Sequence, residues 1–296
     1  MRFLIIIPAH NEEKNISYCL KSLEQQTFQD YSTVVVNDGS TDRTGEIISE
    51  FTQSNPKFSQ LNLTESAHMP GAKVVQTFNK GLQTQNLSDF DVICKFDADI
   101  VFPKDYLDSL KRTYEENLKA GMVSGLVRIK KTVFETQLAF DFEDEKKQWT
   151  FENLSSRNHV RGPVKSYRRE CFLAMNGLRP VLGWDNIDVM LAKKHGFEVI
   201  TLKNLWVKHL RPTAYKYRNQ KAEKLGEYFY NIGLNLPLTA ISSAKSSLKN
   251  RSLKEFFITM KSFLKQNSER NISEDEIKYI RNLRWSSIFG NKTVQK

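Results

Sequence analysis

Residues 91–103 read DVICKFDADIVFP, and the fold turns on how this stretch is read. A mostly apolar run, residues 92–96, delivers two carboxylates, Asp97 and Asp99, to the end of what must be a buried strand. Acids that ionise beside an apolar core need a partner. A hard cation shared with a phosphate-bearing ligand would satisfy both, and Mg²⁺ or Mn²⁺ favours such carboxylate oxygens. An Asp-x-Asp pair also occurs as a plain strand-ending turn with two solvated acids, so the rest of the chain has to decide.

Toward the N-terminus, residues 3–7 form a continuous apolar run, the mark of a strand covered on both faces. Ile16, Cys19, Leu20 and Leu23 then follow helical spacing. Residues 31–36 repeat the strand signal, and Thr44, Ile47, Ile48 and Phe51 repeat the helical stripe. A third helix is expected over 71–82. After 92–96, Pro103 suits the first turn of a helix carrying Leu107, Leu110, Tyr114 and Leu118. Residues 121–127 read as the next strand, and 168–175 as a helix stopped by Asn176-Gly177. This alternation predicts a parallel, doubly wound α/β sheet.

In such sheets ligands bind outside the carboxyl ends of the strands. Three strands here end in polar clusters: Pro8-Ala9-His10-Asn11-Glu12, Asn37-Asp38-Gly39-Ser40 and Asp97-Ala98-Asp99. All three are expected on one edge. Residues 37–40 also serve as a helix-opening turn capped by Thr41 or Asp42. The first strand is not followed by GxGxxG, which disfavours a dehydrogenase-type dinucleotide fold.

At 296 residues with 40% hydrophobic content, the chain can bury a full core. Its three cysteines, Cys19, Cys94 and Cys171, form no CxxC pair, which argues against a disulfide framework or a zinc site. The five-residue apolar run near the N-terminus is too short for a signal peptide, so the cytosol is the expected compartment. The net charge of +10 is uneven: residues 212–296 hold 16 Lys and Arg against 7 Asp and Glu, the first 211 residues 28 against 27. A balanced body with a basic tail points to an anionic surface as the tail's partner.

The order and spacing of IIIPAHNEEKNISYCLKSLEQQTF, VVVNDGSTDRT, FNKGL and FDADIVFP resemble a family 2 glycosyltransferase of the GT-A fold, over roughly the first 210 residues. The resemblance implies a Rossmann-like nucleotide-sugar-binding domain over 1–212 and a basic helical extension over 213–296. It further implies that Pro8, Ala9, Asn11 and Glu12 line the nucleobase and ribose end of a site, that Asp38 contacts the base, and that Asp97 faces ribose and metal. Asp99 becomes the direct ligand of Mg²⁺ or Mn²⁺ on the diphosphate. A carboxylate is suited to accept from the N–H edge of uracil or guanine. Members usually carry an Arg-Asn pair where this chain has Phe78-Asn79; Asn79 and Gly81 match, and Lys73 or Lys95 is left to supply the missing charge.

A second chemical stretch is 181–196, VLGWDNIDVMLAKKHG. Asp185 and Asp188 stand near a helix start, where an acid is also a common cap or first-turn residue. In the family a Glu-Asp pair opening this helix carries the catalytic base. The pair is altered here, so the base is Asp185 or Asp188, with Asp185 nearer the loop; Trp184 is either a sugar-stacking or a core residue. His209 follows a β-like run and is either structural or a third metal or diphosphate contact, while His10, His68, His159 and His195 have no partner pattern. The charged segment 130–157, with Glu143, Asp144 and Glu145, reads as a helix and then a loop.

Residues 228–244 carry no charge but contain Asn231, Asn235 and Pro237, and fall short of the ~20 apolar residues that span a bilayer. Leu253, Phe256, Phe257, Met260, Phe263 and Leu264 form a stripe backed by Lys254, Lys261 and Lys265. After a Ser273-x-x-Glu276 capping box, Ile277, Ile280 and Leu283 repeat it among Lys278, Arg281 and Arg284. Such helices either lie peripherally on an anionic, cytoplasmic membrane face or fold back on the body. No recognised nucleic-acid module accompanies the charge. The expectation is an inverting transferase moving sugar from a nucleoside-diphosphate donor to a glycan or lipid-linked hydroxyl. A non-catalytic nucleotide-sugar or glycan binder is the alternative.

Overall fold

The computed structural model describes residues 1–64, 71–130, 142, 146–153, 156–211 and 221–290. The first half alternates as expected: β1 (Phe3–Ala9), α1 (Ile16–Glu24), β2 (Tyr31–Asp38), α2 (Thr44–Ser54), β3 (Phe58–Leu63), α3 (Ala72–Leu82), β4 (Val92–Phe96), β5 (Ile100–Val101) and α4 (Tyr106–Glu116). Then follow β6 (Ala120–Lys130), β7 (Trp149–Phe151), β8 (Val164–Arg168), α5 (Arg169–Ala174), α6 (Trp184–Lys194) and β9 (Glu198–His209). Four helices close the described chain: α7 (Lys221–Asn231), α8 (Leu236–Asn250), α9 (Leu253–Lys265) and α10 (Glu274–Phe289). The acids Glu143, Asp144 and Glu145 lie outside the described residues.

One sheet runs β3-β2-β1-β4-β8-β6-β9-β5, with β7 on β6. It is parallel from β3 to β4 but mixed beyond, because β8 inserts antiparallel between β4 and β6. The expectation of a wholly parallel sheet is corrected by that strand. β8 reads VKSYR, and its polar residues hid a strand that is buried over Val164–Tyr167. They are tolerated because Lys165 has an acid partner and Ser166 pairs with the Tyr114 hydroxyl at 2.8 Å. β3 was also unread, since its polar-rich FSQLNL lies at the sheet edge with only Phe58 buried. β9 is longer than its apolar core because its pairing with β6 jumps from Leu202 to Trp206.

Alternate residues of β1 enter opposite layers, which is why the whole run is apolar. Phe3, Ile5 and Ile7 join α1, α2 and α4, whereas Leu4 and Ile6 join α3, α5, α6 and the C-terminal helices. The tail therefore extends the body's own core: Phe229, Leu238, Phe263 and Ile280 are buried in the same cluster as Ile187 and Leu191. Polar ties reinforce this. Arg179 meets Glu276 at 2.9 Å, and Asn231 Nδ2 donates to the Leu182 carbonyl at 3.1 Å. Both hydrogen bonds of the Ser273/Glu276 capping box form. Among the described residues, no helix is long and apolar enough to cross a membrane.

The parallel registers align the strand ends that matter. Ala9 lies opposite Asn37, and β4 flanks β1 on its other side, so residues 8–12, 37–40 and 97–99 meet on one edge. Helix α3 reaches this edge by lying flush on the sheet at Gly81, where an added Cβ would stand 2.7 Å from Val36 Cγ2 and 2.8 Å from Ile6 Cγ2. Gly81→Ala is expected to cost about 1–3 kcal/mol through overpacking. Denaturant unfolding measures it, and unchanged stability would show that α3 is free to move away.

Candidate active site

At that edge opens a cavity of about 440 Å³. Pro8, Ala9 and Glu12 line it from the first strand end, Asp38 from the second, Asp97 and Asp99 from the third, with Lys73 from α3. Seven of the residues singled out in the sequence thus share one cavity. Asn11, Asn79, Asp185, Asp188 and His209 are not among its lining residues. Asn11 adopts φ 53 and joins two loops, its N–H donating to Ser40 Oγ at 3.0 Å and its Oδ1 accepting from Thr41 N at 2.9 Å. Asn79 is half-buried on α3.

Each acid is held by a specific partner. Thr77 Oγ1 donates to Asp38 Oδ2 at 2.9 Å, and Lys73 Nζ stands 3.4 Å from the same oxygen. Thr77 and Lys73 are one helical turn apart, so a single face of α3 grips Asp38. His10 Nδ1 lies 2.7 Å from the Asp38 carbonyl. Asp97 pairs with Lys95, a buried lysine that also donates to the Gly162 carbonyl at 3.3 Å and sits 5.1 Å from the Trp184 ring centroid. Of the two lysines left open in the sequence, Lys73 lines the cavity and Lys95 lies beneath it. Trp184 is buried between Lys95 and Lys165.

Asp99 is 5% exposed. Its Oδ2 is 3.5 Å from His209 Nε2 and 3.4 Å from Arg211 Nε. The pairing of Ile100 with His209 across β5 and β9 fixes this approach. Behind the imidazole, Nδ1 lies 3.0 Å from Glu152 Oε2, which also pairs with Arg161. Burial alone would lower the His209 pKa, but its bonds to Asp99 and Glu152 outweigh that and lift it to about 9. Glu152 moves the other way: burial would raise it, yet His209 and Arg161 bring it to about 2. Glu12, buried and close to Asp99, is pushed up by burial first and by that neighbouring charge second, against Asn15 and Arg211.

Among the described residues no three ligating side chains form a ready-made metal cage. The donor set nevertheless suits a hard divalent ion completed by substrate oxygens. Asp99 Oδ1 is buried without a hydrogen-bond partner among the described residues, and His209, on exchanging its proton for the ion, would offer Nε2, 3.5 Å from Asp99 Oδ2, while Glu152 holds Nδ1. Carboxylate–imidazole support of this kind orients a ligating histidine.

The two candidate bases on α6 have different surroundings. Asp188 is 2% exposed; Lys165 Nζ reaches its oxygens at 2.7 and 2.8 Å, and the Tyr167 hydroxyl donates to it at 2.6 Å. Burial pushes its pKa up, against Lys165 and Tyr167. Asp185, one turn earlier, is half-buried beside Gly162, and its backbone carbonyl accepts from Lys165 Nζ at 2.6 Å. Asp188 is thus engaged in an interior clamp, and Asp185 is the more accessible carboxylate.

Several participants had no clear sequence signal. Glu152 sits in a charged, aromatic segment without periodicity, and Arg211 follows His209 at the end of a strand. Thr77 was readable in principle from its helical spacing to Lys73. Lys224, on α7, adds a cation from the extension to the cavity wall.

A sheet whose parallel strand ends converge on an acid-lined cavity places the molecule in the GT-A class of fold. The Glycosyl transferase family 2 model matches residues 4–175, and the chain belongs to that family. Its similarity to a curated relative, glycosyltransferase GlyA of Streptococcus pneumoniae, is 32% identity over 115 residues, 39% of this chain and 15% of that protein. The chain thus spans under a sixth of that relative's length. Among solved structures, S. aureus TarS 1-349 in complex with UDP-GlcNAc superposes with a TM-score of 0.55 at 18% identity, covering 98% of this chain and 92% of that one. The mannosyltransferase PcManGT from Pyrobaculum calidifontis, in complex with GDP-Man and Mn²⁺, gives 0.54 at 17% identity, covering 99% and 76%. At these identities the likeness concerns the fold.

Removing Asp188 strands Lys165 in the interior, so Asp188→Ala is expected to cost about 3–5 kcal/mol of stability. Asp185→Asn should stay within about 0.5 kcal/mol of the parent. Thermal unfolding separates the two, and equal losses would contradict the division of roles.

Proposed function

We propose that the protein is an inverting glycosyltransferase that moves a sugar from a nucleoside-diphosphate donor to a hydroxyl of a glycan or lipid-linked acceptor. The observation that carries this reading is the cavity in which carboxylates from the ends of three adjacent strands, β2, β1 and β4, converge with Lys73 and Arg211. Pro8, Ala9 and Asp38 would receive the nucleobase, the carboxylate accepting from its N–H edge. Lys73, Arg211 and Lys224 supply positive charge for the diphosphate. Asp99 and His209, with Asp97 nearby, would hold Mg²⁺ or Mn²⁺, which when bound offsets the charge of the departing diphosphate. Support comes from the donors and the Mn²⁺ named with the two solved relatives.

Asp185 is the base in this reading. It takes the proton of the acceptor hydroxyl while that oxygen bonds to the anomeric carbon and the bond to the diphosphate breaks on the opposite face. Lys165 anchors the first turn of α6 through the Asp185 carbonyl and so limits the base's movement.

The acceptor is assigned to a membrane-associated polysaccharide or glycolipid, with the enzyme peripheral on the cytoplasmic face. Helix α9 exposes Leu253, Phe257 and Leu264 by 76%, 68% and 66%, at a spacing that keeps them on one face. Lys254, Lys261 and Lys265 form the adjoining, exposed row. On α8, Ile241 and Leu248 stand exposed beside Lys245 and Lys249. Apolar and basic rows side by side fit an anionic headgroup layer.

Two measurements test these statements. Nucleotide release from a panel of UDP- and GDP-sugars with an oligosaccharide acceptor, and NMR of the product anomer, should show an inverted linkage. Asp185→Asn should lower turnover by about 10²–10⁴. Retained configuration, undiminished turnover in the variant, or donor binding without transfer would overturn the reading. In flotation assays, phosphatidylglycerol vesicles should retain the protein and phosphatidylcholine vesicles should not. Replacing Leu253, Phe257 and Leu264 with Ser should abolish retention, and unchanged retention would remove the α9 face from the account.

A further inference from the structure

Away from the donor cavity, the outer face of β6, β7 and β9 carries a small cluster of its own, built on Leu126, Trp149 and Trp206. Beside it lies a second cavity of about 290 Å³, lined by Arg128, Arg157 and Lys203 together with Trp149 and Phe151. Among the described residues its lining includes three cations and no acid.

Two of the cations lie on aromatic faces. The Arg128 guanidinium lies 4.7 Å from the Trp206 ring centroid, and that of Arg157 5.2 Å from Phe151. Arg128 Nε is buried and makes no hydrogen bond among the described residues. Burial first, and the Arg157 charge second, lower the Arg128 pKa. Two like charges are therefore brought together around an unsatisfied donor, an arrangement that an oxyanion relieves. Guanidinium groups bind carboxylate and phosphate through paired N–H donors, and two of them line this cavity.

We propose that this cavity is a subsite for an acidic sugar, one bearing a phosphate or carboxylate group, in the acceptor glycan. The residues of this cavity alternate along the strands with those around Asp99: Phe151 directly precedes Glu152, and Lys208, paired with Arg128 across the sheet, directly precedes His209, so the two sets point to opposite faces of the same strands. A glycan presenting a hydroxyl at the donor cavity would have to pass over the edge of the sheet for an acidic residue farther along it to be gripped by Arg128 and Arg157. Only the word acceptor rests on the glycosyltransferase reading; the anion site stands on its own residues.

The test is calorimetric titration of the full chain, in EDTA, with trigalacturonate, mannose 6-phosphate and neutral maltotriose. One or both acidic probes should bind and the neutral one should not, and the two acidic arms tell carboxylate from phosphate recognition. The Arg128→Gln/Arg157→Gln variant should weaken binding at least about tenfold. Lys203→Gln, at an exposed position, should weaken it less while leaving the unfolding temperature unchanged, which guards against a fold defect in the double variant. Replacing Lys254, Lys261 and Lys265 with Gln should leave it intact. Absence of binding to the wild type, equal binding of maltotriose, or undiminished affinity in both the double variant and Lys203→Gln would overturn the proposal. Nucleoside-diphosphate binding reads the other cavity, so loss of that activity with retained acidic-sugar binding would indict the donor assignment alone.

Discussion

Carboxylates at the ends of buried strands cannot stand unpartnered, and the geometry of the site follows from how this chain supplies their partners. Asp38 is held by Thr77 and Lys73 from α3, Asp97 by Lys95 from the strand that delivers it, and Asp99 by His209 at the end of β9 and Arg211 just beyond it. Each partner comes from a different element, so the sheet order and the close seating of α3 are conditions for the cavity. The one buried carboxylate oxygen of this set left without a hydrogen bond, Asp99 Oδ1, is where a ligand-borne or ionic partner is still wanted.

The mixed half of the sheet contributes as much as the parallel half. β8 carries Lys165 beneath α6, where it satisfies Asp188 and the Asp185 carbonyl at once. β9 carries His209 to Asp99, and the chain after β7 brings Glu152 behind the imidazole. The C-terminal helices are bound into the same framework. Tyr228 packs on Gly183, whose φ of 94 opens α6, and α7 places Lys224 in the cavity wall. An extension that shares the core and lines the cavity is part of the site's architecture, while its far side keeps the apolar and basic rows of α8 and α9.

The parallel half was legible because strands covered on both faces leave unbroken apolar runs, and three such runs ended in acids. The antiparallel strand was not, because VKSYR becomes a buried strand only once Asp188 and Tyr114 satisfy its polar side chains. The same blindness left Asp185 and Asp188 undecided: three residues apart on a helix, they differ in that Lys165 takes the carboxylate of Asp188 but only the backbone carbonyl of Asp185, and those contacts are tertiary. Asn11 and Asn79 fell in motif-like positions, yet one ties loops together and the other sits on α3 away from the cavity lining. Glu152 and Arg211 had no local pattern at all, since their roles arise from strand pairing between distant segments. Of the tail's two readings, the packing on the body is what the core shows, with Phe229, Leu238, Phe263 and Ile280 buried in it, while other residues of α8 and α9 stay exposed.

The most direct test of the account is calorimetric titration of UDP, GDP, CDP and dTDP, each with and without Mn²⁺, into the wild type and Asp99→Ala. The account predicts that one nucleotide binds in a metal-dependent manner and loses at least about tenfold in affinity in the variant. Binding indifferent to both Mn²⁺ and Asp99, or no binding of any nucleotide, would contradict it.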